Sequence, residues 1–445
     1  MSASRLIYRA NSPTAFTLVE LLVSSTIALM VMGSVATLFG IFSRASSNSQ
    51  AIVDMSSRMR TTANRLRQDL AGLTAPLTPP LSPESNAGYF ELIEGPWTDS
   101  TDGSGNLITA SSTTSILADT DDALLFTTRS SAGPFEGRYS EDMNQNGILD
   151  AGEDLNGNGV LDVNTIESST AEVAWFCRPS ASGTVAGLQL QTLYRRQLLV
   201  VGYVGATPFF SAGSGTNNQI TGTLPVIYNT YDISLRSDPT VSGALVPNTL
   251  GDLTRRENRF FHGNSFSSAF PSTTTGLTFD STTREGEDVV LTNVIGFDAR
   301  VFDPDAKPMT TGGTVVYPNE QGYTGPTAGA FRGCMLDLGR CPSASTTLSG
   351  SAAAKSRLTA TYDTWNTAYE SNGVDDDDGG SGPVDEGTNG VDNSSPADNI
   401  PDDPGEDETA PPYSRPLQAI EIRIRCYDPT SREIRQVTVR QMFTN

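Results

Sequence analysis

The sequence predicts an α+β fold: one long N-terminal helix, its first half transmembrane, packed on antiparallel β-sheets that carry large loop inserts. Three observations support this. Leu21 to Phe42 is an apolar run without a charged residue, long enough to cross a bilayer as a helix. Ile52, Met55, Met59, Ala63, Leu66 and Leu70 then recur at spacings of three and four, with Arg58, Arg60, Arg65 and Arg67 between them, which is the pattern of an amphipathic helix. Beyond about residue 88 the apolar runs shorten and alternate with polar residues, as strands with one covered and one wet face do.

Each element has its own warrant. The apolar stripe on the second half of the helix needs a sheet or helix to cover it, and Gly72 and Pro76 end it. Strands are expected at Asp122 to Thr128, Ala171 to Cys177, Leu188 to Val201 and Val289 to Phe302. Ile420 to Tyr427 alternates apolar and charged residues, Asp428-Pro429-Thr430-Ser431 turns, and Ile434 to Met442 returns as an antiparallel hairpin. Arg300-Val301-Phe302-Asp303-Pro304 and Arg425-Cys426-Tyr427-Asp428-Pro429 share an ending. The chain between them, Asp305 to Pro416, is rich in Gly, Ser, Thr and Asp and reads as an insert on a sheet, with one helix expected near Ser351 to Tyr369. The organisation is thus a short basic leader (1–15), the helix (16–73), a β domain (74–304) with a polar loop insert at 141–165, a flexible acidic insert (305–416), and the hairpin (417–445) that completes the β domain.

The net charge of -22 is local. Ser371 to Tyr413 holds thirteen carboxylates and no Lys or Arg, and Glu141 to Asp162 holds six more and no base. No basic surface of the kind nucleic-acid binders need is visible beyond the short helical stretch, so nucleic acid is excluded as a partner. Of the four cysteines, Cys334 and Cys341 lie close together in a Gly- and Pro-containing loop. They would form a small bridge in an oxidising compartment or else remain two thiols. Cys177 and Cys426 fall in expected strands, as small apolar residues do.

Asp142 to Glu153 matches a calcium-loop template. Asp142, Asn144, Asn146, Asp150 and Glu153 occupy positions 1, 3, 5, 9 and 12, Ile148 offers a backbone carbonyl, and Gly147 makes the tight turn. A second copy follows at once with Asp154, Asn156, Asn158, Gly159, Val160 and Asp162, and Thr165 stands where the bidentate Glu belongs. No room exists for a helix between the copies, so these are loop-only modules, and asparagine ligands place their affinity at roughly 10⁻⁴ to 10⁻³ M. The competing reading is a solvated acidic turn. In the Asp375 to Asp378 run, Asp375, Asp377 and Glu386 take positions 1, 3 and 12 of a third, less regular loop, which reads equally well as an acidic tract. A calcium ion here would be structural, neutralising clustered carboxylates and ordering a loop.

Little points to catalysis, and the chain is expected not to be an enzyme. One histidine exists, His262, in Phe260-Phe261-His262-Gly263-Asn264, and any Ser-His-Asp device would have to use it. No G-x-S-x-G elbow, phosphate loop, dinucleotide fingerprint or H-E-x-x-H is present.

The most specific fragment is Ala15-Phe16-Thr17-Leu18-Val19-Glu20 at the head of the apolar run. A carboxylate in hydrocarbon costs several kcal/mol unless it finds a partner. The fragment resembles the N-terminal signature of the type IV prepilin and pseudopilin superfamily, Gly or Ala followed by F-T-L-x-E. The order of helix, Leu-Phe-Thr-Thr-Arg strand, Ala-Trp-Phe-Cys-Arg-Pro strand, Leu-Tyr-Arg-Arg strand and Asp-Pro hairpin is similar to the minor pilin W and the J-type minor pseudopilin of type II secretion. The resemblance implies a pilin-like fold and a prepilin peptidase that cuts between Ala15 and Phe16, with Ala15 where Gly is commonest. It further implies N-methylation of Phe16, and a Glu20 that neutralises the Phe16 amine of a neighbouring subunit during assembly. The implied partners are other pilins or pseudopilins. The implied place is the inner membrane as a single-pass protein before assembly, with the soluble domain periplasmic or extracellular, in protein secretion or at the cell surface. Two other readings of the segment stay open. One is a secretory signal with Ser43-Arg44-Ala45 as its cleavage site. The other is a plain single-span anchor for a cell-surface binding protein with calcium-ordered loops.

Overall fold

The computed structural model describes residues 17–93, 119–154, 157–185, 188–201, 203–204, 207–208, 220–221, 227–228, 230–238, 242–260, 286–304, 306–317, 325–337, 361–364 and 416–443. Helix and sheet combine as an α+β fold: one long N-terminal helix and a large, curled antiparallel sheet.

The helix runs without a break from Leu18 to Ala71. Its start is a capping box: Glu20 N–H donates to Thr17 Oγ1 at 3.3 Å, and Thr17 N–H donates back to Glu20 Oε2 at 2.9 Å. Its end is Gly72, where a Cβ would collide with the carbonyl oxygen of Arg129, and Arg129 N–H donates to Gly72 O at 2.7 Å. Glycine is required there because the chain passes directly against a strand. The halves of the helix differ. Leu18 to Phe42 is exposed throughout and, from Leu21 on, uncharged, with Phe42 75% exposed, and about 1.5 Å of rise per residue makes Leu21 to Phe42 long enough for a hydrocarbon core of about 30 Å. That length and composition fit a membrane anchor or a signal sequence. The second half buries Met55, Met59, Thr62, Ala63, Leu66, Asp69 and Leu70, one face at helical spacing. Each large apolar side chain so covered contributes roughly 1.5–3 kcal/mol before entropy is charged against it.

The main sheet has nine strands. Its order is Thr361–Asp363, Phe90–Ile93, Ala123–Arg129, Thr170–Val185, Leu188–Leu199, Val289–Asp303, Ala419–Tyr427 and Ile434–Met442, with Cys334–Leu336 beside the far half of Val289–Asp303. Every pairing in it is antiparallel. The acidic insert therefore supplies strands at two places, and Thr361–Asp363 is a strand where the sequence suggested a helix. Its pairing with Phe90–Ile93, remote in sequence, overrides the local propensity.

Curling comes from the strand Val289–Asp303. It pairs with Leu188–Leu199 through its first half and with Ala419–Tyr427 through its second. Irregular register at Val294 to Gly296, next to Asn293 at φ 59°, bends it. Phe297 N–H then reaches Asp119 O at 2.6 Å, and Ala299 N–H reaches Asp122 Oδ2 at 2.7 Å. Phe443, just past the last strand, packs edge-on against Phe90 with ring centroids 5.9 Å apart. The two ends of the sheet thus approach each other around one apolar core, with Trp175, Phe90, Phe126, Phe176 and Phe297 at its centre.

Candidate functional site

Ala15 and Phe16 lie outside the described residues, and the described part of the signature runs from Thr17 to Glu20. The Glu20 carboxylate accepts from both Thr17 N–H and Thr17 Oγ1, the latter at 2.8 Å. Thr17-Leu18-Val19-Glu20 is an S/T-x-x-E sequence, so a capping role was readable from the sequence beside the assembly role.

The two calcium-like loops form the whole connection between the strands Phe135–Ser140 and Val163–Ser168, which pair from Phe135 opposite Ser168 to Ser140 opposite Val163. This ribbon is docked on the sheet. Arg138 N–H donates to Asp232 Oδ2 at 2.9 Å, Tyr231 Oη donates to Ser140 O at 2.6 Å, and a Cβ on Gly137 would lie 2.8 Å from Asp232 Cβ.

In the first loop, Asp142 Oδ1 accepts from Asn146 N–H at 3.0 Å and Oδ2 from Gly147 N–H at 2.9 Å, while Asn146 Oδ1 accepts from Ile148 N–H at 2.7 Å. The second loop repeats the pattern twelve residues on. Asp154 accepts from Asn158 and Gly159 N–H at 3.0 and 2.8 Å, and Asn158 Oδ1 accepts from Val160 N–H at 2.8 Å. Gly147 and Gly159 both take positive φ, 73° and 77°. Asn144 and Asn146 donate to Asp150 Oδ2, and Asn158 donates to Asp162 Oδ2. Asn156 lies outside the described residues.

The closing carboxylates show what the sequence did not. Buried Glu153 accepts from the N–H of Asp150, position 9 of the first loop, at 2.9 Å. In the second loop the equivalent bond, from Asp162 N–H, goes at 3.2 Å to Glu141, which is also buried. Thr165 is instead an exposed residue of the ribbon opposite Arg138. Glu141 precedes the first loop, so position-counting from Asp154 could not find it; the hairpin brings it back. The first donor set is all oxygen: three carboxylates, two amides and the Ile148 carbonyl. Asp142 Oδ1 and Oδ2, Asn146 Oδ1 and Glu153 Oε2 each accept one backbone N–H and keep a second lone pair, whereas Glu153 Oε1 accepts from both Met143 and Asn144 N–H. These residues fit a hard divalent cation.

The other expected site residues fall differently. Asp375, Asp377, Glu386, Cys341 and His262 lie outside the described residues, and Cys334 is a buried residue of a short strand. Cys177 and Cys426 are buried thiols. Burial, with Asp122 and Asp121 nearby, holds Cys177 well above the ordinary thiol range, and burial beside Asp428 pushes Cys426 up to about 12. Neither is an activated nucleophile. Cys426 lies along a cleft between the helix (Asp54, Met55, Arg58) and the sheet (Thr292, Asn293, Asp428), and its Sγ donates to Thr292 O at 3.2 Å.

Three charged clusters were not foreseen. Asp69, 2% exposed on the last helical turn, accepts from Trp175 Nε1 at 3.0 Å and from Arg195 at 2.6 and 2.9 Å. Glu91 and Asp363 bind Arg256 and Arg259, all buried, and Arg259 stacks 4.0 Å over the Tyr89 ring. Asp119, Asp121 and Asp122 place carboxylate oxygens within 4.8 Å of one another in the interior. Burial first, then Asp121 and Asp298, raises the Asp122 carboxyl well above the ordinary carboxylate range. The signal available for Asp69 was a carboxylate at the spacing of the apolar stripe; Asp119, Asp121 and Asp122 are neighbours in sequence whose burial was not foreseen, and the Glu91, Asp363, Arg256 and Arg259 cluster joins residues distant in sequence.

No family model matches this sequence, and neither a curated protein nor a solved structure matches the chain.

Proposed function

We propose that this chain is a minor pilin or pseudopilin, a structural subunit of a type IV pilus or a type II secretion pseudopilus, processed by prepilin peptidase between Ala15 and Phe16. The observation that carries the reading is the unbroken helix Leu18–Ala71, with its apolar half bare and its other half fixed to an antiparallel sheet. A bare apolar helix half first sits in a bilayer and then packs against helices of other subunits, while the β domain stays outside the membrane. In this reading Glu20 exchanges its Thr17 partners for the N-methylated Phe16 amine of a neighbour, a cationic partner that makes a carboxylate tolerable among apolar helices. The tandem loops bind calcium structurally through Asp142, Asn144, Asn146, Ile148, Asp150 and Glu153, and through Asp154, Asn156, Asn158, Val160 and Asp162, with Glu141 closing the second set. The protein is a structural subunit without catalysis of its own. It is held in the inner membrane before assembly, and its β domain is periplasmic or extracellular.

The test is filament incorporation of Glu20→Ala beside Thr17→Val. Glu20→Ala should insert in the membrane and fail to enter filaments, whereas Thr17→Val, which removes only the hydroxyl cap, should still enter. Equal failure of both variants would make Glu20 a helix cap, and incorporation of Glu20→Ala would remove the assembly mechanism. A second reading, a single-span cell-surface binding protein, draws support from the loops, whose apolar tips Ile148 and Val160 are exposed.

A further inference from the structure

The last strand, Ile434–Met442, is the edge of the main sheet. Phe443 N–H donates to Gln418 O, and Asp428 N–H donates to Glu433 O, in the register that pairs Ile434 with Tyr427 and Met442 with Ala419. Odd-numbered residues therefore bond the neighbouring strand, and Ile434, Gln436, Thr438, Arg440 and Met442 turn their backbone N–H and C=O groups outward. The contact of Arg67 with the Thr438 carbonyl, at 3.3 Å, agrees with that direction. No described strand lies beyond this edge.

Edges are usually short, bulged, charged, covered or broken by proline, and of these devices this strand carries charge alone, at Arg435 and Arg440. This one has nine residues, a continuous register and no proline, and its Met442 is 69% exposed. Its charge is the reverse of the chain's. Arg423, Arg425 and Arg440 share the outer face of the hairpin, where Glu421 bonds Arg423 and Arg440. Exposed Arg435 lies on the strand, 3.2 Å from Glu433 in a solvent-exposed pair, and exposed Arg60 and Arg67 lie on one stripe of the adjoining helix. A second copy, at net charge -22, is repelled as a whole.

We propose that this edge is a docking site for an extended acidic segment of a different protein, added as a further antiparallel or parallel strand. Outward backbone groups other than the Thr438 carbonyl, which Arg67 already holds, would supply the hydrogen bonds, and the arginines would select for carboxylates. The inference is independent of the filament reading.

The probe is a peptide as long as the edge, alternating Glu and Val, with a Lys-Val peptide as its counterpart, added to the full chain in detergent micelles. The Glu-Val peptide should bind saturably, slow amide exchange across 434–442, and weaken from 0.1 to 1 M salt, where the screening length falls from about 10 to about 3 Å. Gln436→Ala, which loses only exposed side-chain contacts such as that with Arg425, should bind as the parent does. Gln436→Pro removes an outward N–H besides, but no ladder bond, and should cut affinity about five- to tenfold with thermal stability little changed. If that variant does not fold, Arg435→Glu at its exposed position carries the test and should weaken Glu-Val binding. Absence of saturable binding, equal binding of the Lys-Val peptide, or indifference to whichever of Gln436→Pro and Arg435→Glu carries the test would overturn the proposal. So would a concentration-dependent dimer that Gln436→Pro abolishes, since the edge would then serve a second copy.

Discussion

Asp69→Ala should loosen the helix from the sheet more than any apolar truncation along the same stripe. The carboxylate takes a two-pronged bond from Arg195, whose side chain is 9% exposed, and a third bond from the buried indole N–H of Trp175. Removing it leaves a guanidinium and an indole N–H without that acceptor in the interior. Breaking a buried pair by deleting one partner costs about 3–5 kcal/mol, and an orphaned donor costs about 1–3 kcal/mol. Arg195 keeps the Gln197 Oε1 contact at 2.9 Å, which lowers the total. The expected loss is about 4 kcal/mol, measured by urea unfolding of the full chain in detergent micelles and followed by far-ultraviolet circular dichroism.

The second half of the experiment separates a buried charge from a lost contact. Asp69→Leu combined with Arg195→Met replaces both partners by apolar groups, and should be less destabilised than Asp69→Ala alone. A loss below about 1 kcal/mol for Asp69→Ala, or a double variant as unstable as the sum of the single ones, would refute the reasoning: the pair would then behave like a surface ion pair.

Calcium at about 10 mM should stabilise the chain by roughly 1.4–2.7 kcal/mol per loop if affinities lie near 10⁻³ to 10⁻⁴ M; Asp142→Ala and Glu141→Gln should each reduce the chelator-reversible shift in thermal melts, and no shift in the parent chain would remove the ion. Asp122→Asn should stabilise the fold at neutral pH. The folded state holds on this carboxyl a proton that the unfolded chain releases near pH 4, so the stability it contributes is present below that pH and is lost as pH rises toward the folded value. Asparagine keeps an oxygen for the Ala299 N–H, so the gain should appear in melts at pH 7 and vanish near pH 3; destabilisation at pH 7 would mean that the charge is needed there.

What was legible in the sequence was local. The helix and its end at Gly72 followed from spacing and one glycine, the strands at Ala123–Arg129, Leu188–Leu199 and Val289–Asp303 and the first half of Thr170–Val185 followed from short strand-like runs, and the C-terminal hairpin followed from alternation. Strand order was not legible, because Thr361–Asp363 pairs with Phe90–Ile93 across an intervening stretch that carries no local record of the pairing. The calcium-like loops were legible because their donors lie at fixed offsets, and Glu141 was hidden because a hairpin returns it from outside the count. The Asp69 clamp was hidden for a similar reason: Arg195 lies 126 residues away. Only the pairing turns a carboxylate on an apolar stripe from an error into an anchor.

The central claim rests on one bond. Intact-mass measurement of the protein purified from its native membrane should give a chain that starts at Phe16 and carries one added methyl group on its amine. A chain that starts at Ser46, or one that still begins at Met1, would contradict the account.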